Sequence, residues 1–441
     1  MPSQIDSADL PPYTHPAVHA GPAFVEHTFT SDEDGQKQPA LILKVQSLAQ
    51  SVKYLPTFMG GEPVVGSVEL NLPKAAGIES VILVFKGIME TRRMASYVSP
   101  RKTGPLTFFK FRETLWDVSK GDPNYRSSGE NKVVKLQGEY TWNFAVTLPQ
   151  EVTFDDEKKY KDASLAGTLS LPPHFSEKGC FSTVTYEMGV LVKHSGVFQS
   201  DLKVRTRYGY APRSTPDAPS PLRQKAYSEG ISLLGLDVDP EGWKIFSVNV
   251  LGKLFCAMDV GLKCTVALAT PLAYTRGSVI PCMLILESSN TQAIDILSDV
   301  KSPCLGLFRE FMTTSALERL AWGDDRRVME ARWWKPNDRL AEGSELSQRI
   351  LHGEINIPAN IQPSFSFGDF FQKYHVELWP FNAAGFVTEC KDKLLKVDVQ
   401  IMTDYAPGPR PRCYLPPEYS NGKSNEHTQR DAISFVPDGF L

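Results

Sequence analysis

Along most of the chain, apolar and polar residues alternate with a period of two, the period of a strand with one buried face. Residues 68–72 (Val-Glu-Leu-Asn-Leu) show it most cleanly, and residues 78–85 are rich in β-branched side chains that suit a pleated surface. Further strands are predicted at 139–146, 183–192, 202–208, 246–250, 264–269, 279–287, 354–357, 374–378 and 394–402. Turn residues separate them at short intervals, which favours antiparallel sandwiches over βαβ units. Residues 309–320 alone have helical character, and a strand reading also fits them.

The order of these segments repeats weakly. Gly61-Glu62-Pro63-Val64-Val65-Gly66 leads into a strand, and later Leu171-Pro172-Pro173-His174-Phe175 precedes the strand around Tyr186. In the second half Tyr274-Thr275-Arg276-Gly277-Ser278 leads into a strand, and Ile361-Gln362-Pro363-Ser364-Phe365 precedes the strand around Tyr374. Two tandem β-sandwiches are the expected outcome, with each Pro-x-Phe segment plugging an aromatic into a core. Pro172-Pro173-His174-Phe175 is thus read as packing, although it differs from a PPxY motif only in having Phe for Tyr. Between the halves, Pro212, Pro216, Pro219 and Pro221 forbid a central strand and predict a semi-extended linker.

At 441 residues, with 41% hydrophobic and 22% charged content, the chain is long enough for two domains. A formal net charge of −4 gives no electrostatic case for nucleic acid. No apolar run reaches the length of a membrane helix, and the N-terminus lacks a signal-peptide profile, so a cytosolic protein with at most peripheral membrane contact is expected. Seven cysteines form no CxxC pair and read as reduced thiols. The sequence contains no HExxH, GxSxG, P-loop or dinucleotide fingerprint, and its histidines lack metal-ligand spacing. No enzyme, cofactor or metal is therefore expected.

Two short motifs carry the functional reading. Pro416-Pro417-Glu418-Tyr419 is a PPxY string, and Leu10-Pro11-Pro12-Tyr13 is an LPxY variant near the other end. Consecutive prolines pre-form polyproline II, whose rings dock in the aromatic groove of a WW domain while the tyrosine fills the next pocket. Pro416, Pro417 and Tyr419, with Leu10, Pro11 and Tyr13 as a weaker second graft, are the candidate WW-binding residues. Lys203, Arg205 and Arg207 alternate on a predicted strand, so they project from one face and form a candidate contact for phosphate or acidic cargo tails. A solvated outer face gives the same pattern.

The string Gly61-Glu62-x-Val64-x-Gly66-x-Val68-x-Leu70, followed by Ile78-Glu79-Ser80-Val81 and Lys86-Gly87, resembles the first sandwich of the arrestin superfamily. Gly138-Glu139-Tyr140-Thr141-Trp142-Asn143-Phe144, Leu148-Pro149 and Leu171-Pro172-Pro173-His174-Phe175 resemble its later segments, and residues 274–286 and 353–378 resemble its second sandwich. With PY motifs in its tails, the chain is most similar to the α-arrestins of fungi. The resemblance implies an all-β body of two tandem arrestin-like, immunoglobulin-type β-sandwiches (26–210 and 245–405). A linker joins them (211–244), and disordered Pro-rich tails flank them (1–25 and 406–441). It further implies a cytosolic adaptor, recruited to the plasma membrane or endosomes, that links transporter or receptor tails to a HECT ubiquitin ligase with WW domains. An arrestin-fold sorting scaffold that binds coat or sorting proteins and never meets a ligase is the competing expectation. Departures from the family are a long linker at 215–243, a Trp-rich charged stretch at 302–347, and no match to the buried polar core of visual arrestins.

Overall fold

The computed structural model describes residues 24–31, 40–91, 105–124, 135–154, 165–177, 182–196, 200–314, 321–336 and 348–420. The first half contributes β1 (Val25–Thr30), β2 (Leu41–Ser47), β3 (Thr57–Met59), β4 (Pro63–Thr91), β5 (Leu106–Asp117), β6 (Lys135–Thr147), β7 (Glu151–Phe154), β8 (Gly167–Ser170), β9 (Ser182–His194) and β10 (Leu202–Ala211). The second contributes β11 (Trp243–Leu254), β12 (Met258–Ala269), β13 (Ala273–Thr275), β14 (Val279–Glu287), β15 (Cys304–Thr314), β16 (Ala321–Glu330), β17 (Arg332–Trp334), β18 (Gln348–Asn356), β19 (Phe365–Phe367), β20 (Phe370–Trp379), β21 (Phe386–Thr388) and β22 (Leu395–Met402). Among the described residues there are also three short α-helices: α1 (Pro221–Glu229), α2 (Thr291–Leu297) and α3 (Pro417–Ser420).

β4 runs through both layers of the first sandwich. Its first half pairs with β2 and β6, and its second half with β5 and β9. Pro73 and its exposed neighbours lie where the register with β6 shifts between Leu72 and Ala76, so the strand turns a corner there and runs on into the other layer. Two strands expected at 64–72 and 78–85 are therefore one. Inward residues Val64, Val68, Leu70, Val81, Leu83 and Phe85 are fully buried, as the alternation required.

The second sandwich packs the sheet β17-β18-β14-β12-β11-β21 against β13-β22-β20-β15-β16. Residues 309–320 are not helical where described: β15 runs through Thr314. Its two faces are both covered, which hides the alternation. Leu305 and Leu307 face the core, while Phe308 on the opposite face stacks on His375 and Trp379. Pairing with β16 and β20 on either side then settles the conformation.

The internal repeat is explicit. β3 joins β10 in parallel as β13 joins β22. A left-handed glycine follows each short strand, Gly61 at φ 80° and Gly277 at φ 78°. Tyr186 donates to the Pro172 carbonyl at 2.6 Å, and Tyr374 donates to the Gln362 carbonyl at 2.7 Å. The two plug loops also meet each other. Phe175, 1% exposed, packs edge-on against Phe365 and Phe370 and contacts Phe311. Phe367 reaches across to Phe108 and Phe154. Beside this aromatic seam, Gln362 Nε2 donates to the His174 carbonyl at 3.0 Å, and buried Arg309 pairs with Glu177 at 2.9 Å. The core of the first sandwich continues across this seam into Phe311, Phe367 and Phe370, while the rest of the second sandwich packs around a core of its own.

Candidate interaction surfaces

Beyond β22 the chain stays on the second sandwich as a strap. Ser214 of the linker and Thr403 exchange backbone and hydroxyl hydrogen bonds, and Arg213 bridges Glu62 and Asp404 at 2.8 and 3.0 Å. Further along, Arg412 donates to the Ser228 carbonyl, and Tyr414 stacks on Tyr227 of α1 with ring centroids 6.4 Å apart. The anchor is Glu354 of β18, 1% exposed, which accepts the Cys413 thiol at 2.7 Å and the Tyr414 amide at 2.9 Å. Burial, then the bond to Glu354, pushes the Cys413 thiol up and keeps it protonated as a donor. Residues 406–420, read from sequence as the start of a tail, are thus fastened to the body.

The PPxY string closes the strap. Pro416, Pro417 and Tyr419 lie together at its end, but residues 417–420 form the helical turn α3 beside β17, not polyproline II. The Tyr419 amide donates to the Pro416 carbonyl at 2.9 Å, and Tyr419 is half-buried. Proline permits this because its fixed φ suits both the first turn of a helix and polyproline II, so ψ alone separates the two. Leu10, Pro11 and Tyr13 lie outside the described residues.

Lys203, Arg205 and Arg207 are exposed on one face of β10, as their alternation requires. The sheet register extends this face. Arg205 lies opposite Gly189 of β9, which lies opposite Val84 of β4 and, beyond it, Arg112 of β5. One step along, Arg207, Glu187, Lys86 and Lys110 form the next row. A side chain at Gly189 would collide with the Val204 carbonyl, 2.3 Å away, and the missing side chain leaves a groove of about 180 Å³ between Arg112 and Arg205. Among the described residues Lys86, Arg112, Lys203 and Arg205 enter no ion pair, while Glu187 supplies one negative charge between Lys86 and Arg207. The β10 stripe was visible in the sequence. Lys86 and Arg112 were not, because only pairing across four strands assembles them.

Sequence reading also missed the anchor of the strap. Cys413-Tyr414, two packing residues in a Pro- and Arg-rich stretch, was the available signal. Glu354 gave none, being one carboxylate in a strand. Among the described residues, no helix is long and apolar enough to cross a membrane.

No curated protein matches the chain. Residues 51–206, running from the approach to β3 to the middle of β10, match the family model described as Arrestin (or S-antigen), N-terminal domain. The match ends before the linker, and the second sandwich is tied to the first by the repeated strands, glycines and tyrosine bonds given above. On this match the first sandwich is similar to the arrestin N-terminal domain.

Proposed function

We propose that the chain is a cytosolic adaptor of the fungal α-arrestin type, joining membrane-protein cargo to a HECT ubiquitin ligase through that ligase's WW domains. The observation that carries this reading is the position of Pro416-Pro417-Glu418-Tyr419 at the end of a surface strap, beside β17, on a body whose first sandwich matches the arrestin N-terminal domain. Such an adaptor acts by tethering: cargo and ligase held on one chain meet at a high effective concentration, with no bond chemistry by the adaptor itself. A single micromolar WW contact corresponds to about −8 kcal/mol, and a second motif at Leu10-Pro11-Pro12-Tyr13 raises avidity if one ligase engages both. Arg205 and Arg207, with Arg112, offer bidentate contacts to acidic or phosphorylated cargo tails, and Lys203 and Lys86 add point charges beside them. Recruitment to the plasma membrane or endosomes follows from the cargo.

Co-purification of WW-domain ligase with the full chain tests the reading. Tyr419→Ala is expected to lower capture at least tenfold and Tyr13→Ala to lower it less; undiminished capture by the double variant removes the proposal. Charge reversal of Lys203, Arg205 and Arg207 to Glu is expected to weaken cargo-tail binding with ligase capture intact.

The helical turn at residues 417–420 favours a second reading, an arrestin-fold sorting scaffold that engages coat or sorting proteins and no ligase. That reading expects a blank WW pulldown from the wild-type chain.

A further inference from the structure

We propose that Thr215 in the linker is a phosphoacceptor for a proline-directed protein kinase, and that the phosphate opens the clasp between linker and strap. The linker carries two such sequences, Thr215-Pro216 and Ser220-Pro221, and the fold separates them. Ser220 caps α1: its hydroxyl accepts from the Arg223 amide at 3.2 Å and donates to Asp239 at 2.6 Å, so it is engaged on both sides. Ser214 is half-buried, and its hydroxyl accepts from the Thr403 amide at 3.2 Å. Thr215 is exposed, and its hydroxyl enters no hydrogen bond among the described residues.

A residue that precedes proline is held in the extended region of backbone space. From Arg213 to Asp217 the exposed positions alternate with half-buried Ser214 and buried Pro216, so Arg213, Thr215 and Asp217 share the outward face. Neighbours on that face stand about 7 Å apart, within reach of a guanidinium. Arg213 is already committed to Glu62 of the first sandwich at 2.8 Å and to Asp404 of the strap at 3.0 Å. Its contact with Asp404 is one of charge, since Oδ2 takes no hydrogen bond among the described residues. The Arg276 charge also bears on Asp404. A phosphothreonine brings a charge of about −1.5 to −2 and three acceptor oxygens. It either draws Arg213 away as the stronger, bidentate partner, or is repelled by Glu62, Asp404 and Asp217 and lifts the linker. Both displace Ser214, whose carbonyl accepts the Thr403 and Asp404 amides at 3.1 and 2.9 Å. The strap thereby loses the clasp and keeps its hold on Glu354.

In the transfer the Thr215 hydroxyl oxygen bonds to the γ-phosphorus of ATP and the bond from that phosphorus to the β–γ bridging oxygen breaks. ADP leaves, and the hydroxyl proton passes to a base of the kinase. Pro216 is buried and lines a small cavity with Ala273 and Tyr274 of β13, so the linker must lift locally to enter a kinase cleft.

The full chain is incubated with ATP and a panel of proline-directed kinases, and the sites are mapped by mass spectrometry. Label at Thr215 with Ser220 unlabelled is expected. No label at Thr215 from any kinase, or label there only after denaturation, overturns the acceptor. A chain carrying genetically encoded phosphothreonine at 215 then tests the clasp through hydrogen exchange at the Thr403 and Asp404 amides. Exchange about fivefold faster than in the unmodified chain is expected, with reversal by phosphatase. Equal or slower exchange overturns the opening. Thr215→Ala treated with the same kinases is expected to keep the unmodified rate; a rise there assigns the effect to another site and overturns the proposal. Exchange at these amides reads the clasp alone, so a blank WW pulldown removes the ligase reading and leaves this one standing.

Discussion

Tyr186 and Tyr374 close their plug loops with the same bond, a buried phenol hydroxyl on the carbonyl of a residue 14 or 12 positions upstream. Removing the Tyr186 hydroxyl leaves the buried Pro172 carbonyl without that donor, so Tyr186→Phe is expected to cost about 1–3 kcal/mol, measured by denaturant unfolding. The Gln362 carbonyl also accepts from Gln372 Nε2 at 3.3 Å, so Tyr374→Phe is expected to cost less; an equal or larger cost at Tyr374 would contradict this. His174, in the first of these loops, adds a pH dependence. Burial, and secondarily the charge of Arg207, pulls its pKa down to about 4, so it is neutral in the folded protein. Unfolded, it titrates near 6.5 and binds the proton that the fold excludes. Its contribution is complete above pH 6.5 and is lost as pH falls toward 4, by about 3 kcal/mol in all. Unfolding free energies at pH 7 and 4.5 are expected to differ by about 2 kcal/mol more in wild type than in His174→Asn. The plug at Phe175 was legible because a Pro-Pro-x-Phe string preceding an apolar strand has few other uses. Arg223 was not, since nothing in a linker sequence marks an arginine that will stack under a tryptophan 20 positions away.

At the scale of elements, alternation identified the strands with one wet face and failed where both faces are covered. β15 is the clear case: Phe308 packs outward on His375 and Trp379 while Arg309 is buried against Glu177, so neither side reads as solvent. The linker held a second surprise in α1, whose signals are local: Ser220 caps it, Pro221 opens it and left-handed Gly230 ends it. Four prolines nearby outweighed those signals in the sequence reading. The strap was illegible for another reason, because its hold depends on Glu354, about 60 residues earlier. On the proposed function its turn conformation would control WW binding, since docking as polyproline II requires α3 to unwind. Glu354→Gln removes the charge and one of the two acceptors. It is expected to increase hydrogen exchange at the Tyr414 amide about tenfold and to strengthen WW-domain binding by the full chain toward that of a free 410–425 peptide. Equal affinity of the wild-type chain and the peptide would show that the turn exerts no control.

For the whole molecule, the aromatic seam makes the two sandwiches one folding unit. Neither half buries Phe175, Phe108, Phe311 or Phe367 fully without the other, so a single calorimetric transition is expected. Glu177→Gln strands Arg309 in that seam and is expected to cost about 3–5 kcal/mol while leaving the transition single. Two separated transitions in wild type would contradict a core that continues across the seam. The seam also has a symmetry: Phe175 meets Phe365, its own counterpart in the repeat. Contact of a position with its copy is the signature of a twofold dimer. The protein can accordingly be regarded as two protomers fused end to end, with the Ser214–Thr403 clasp standing where a dimer would need only mass action. Coexpressed as separate polypeptides cut at the linker, the halves should reassemble without a tether, and a reporter split between them would register their reunion.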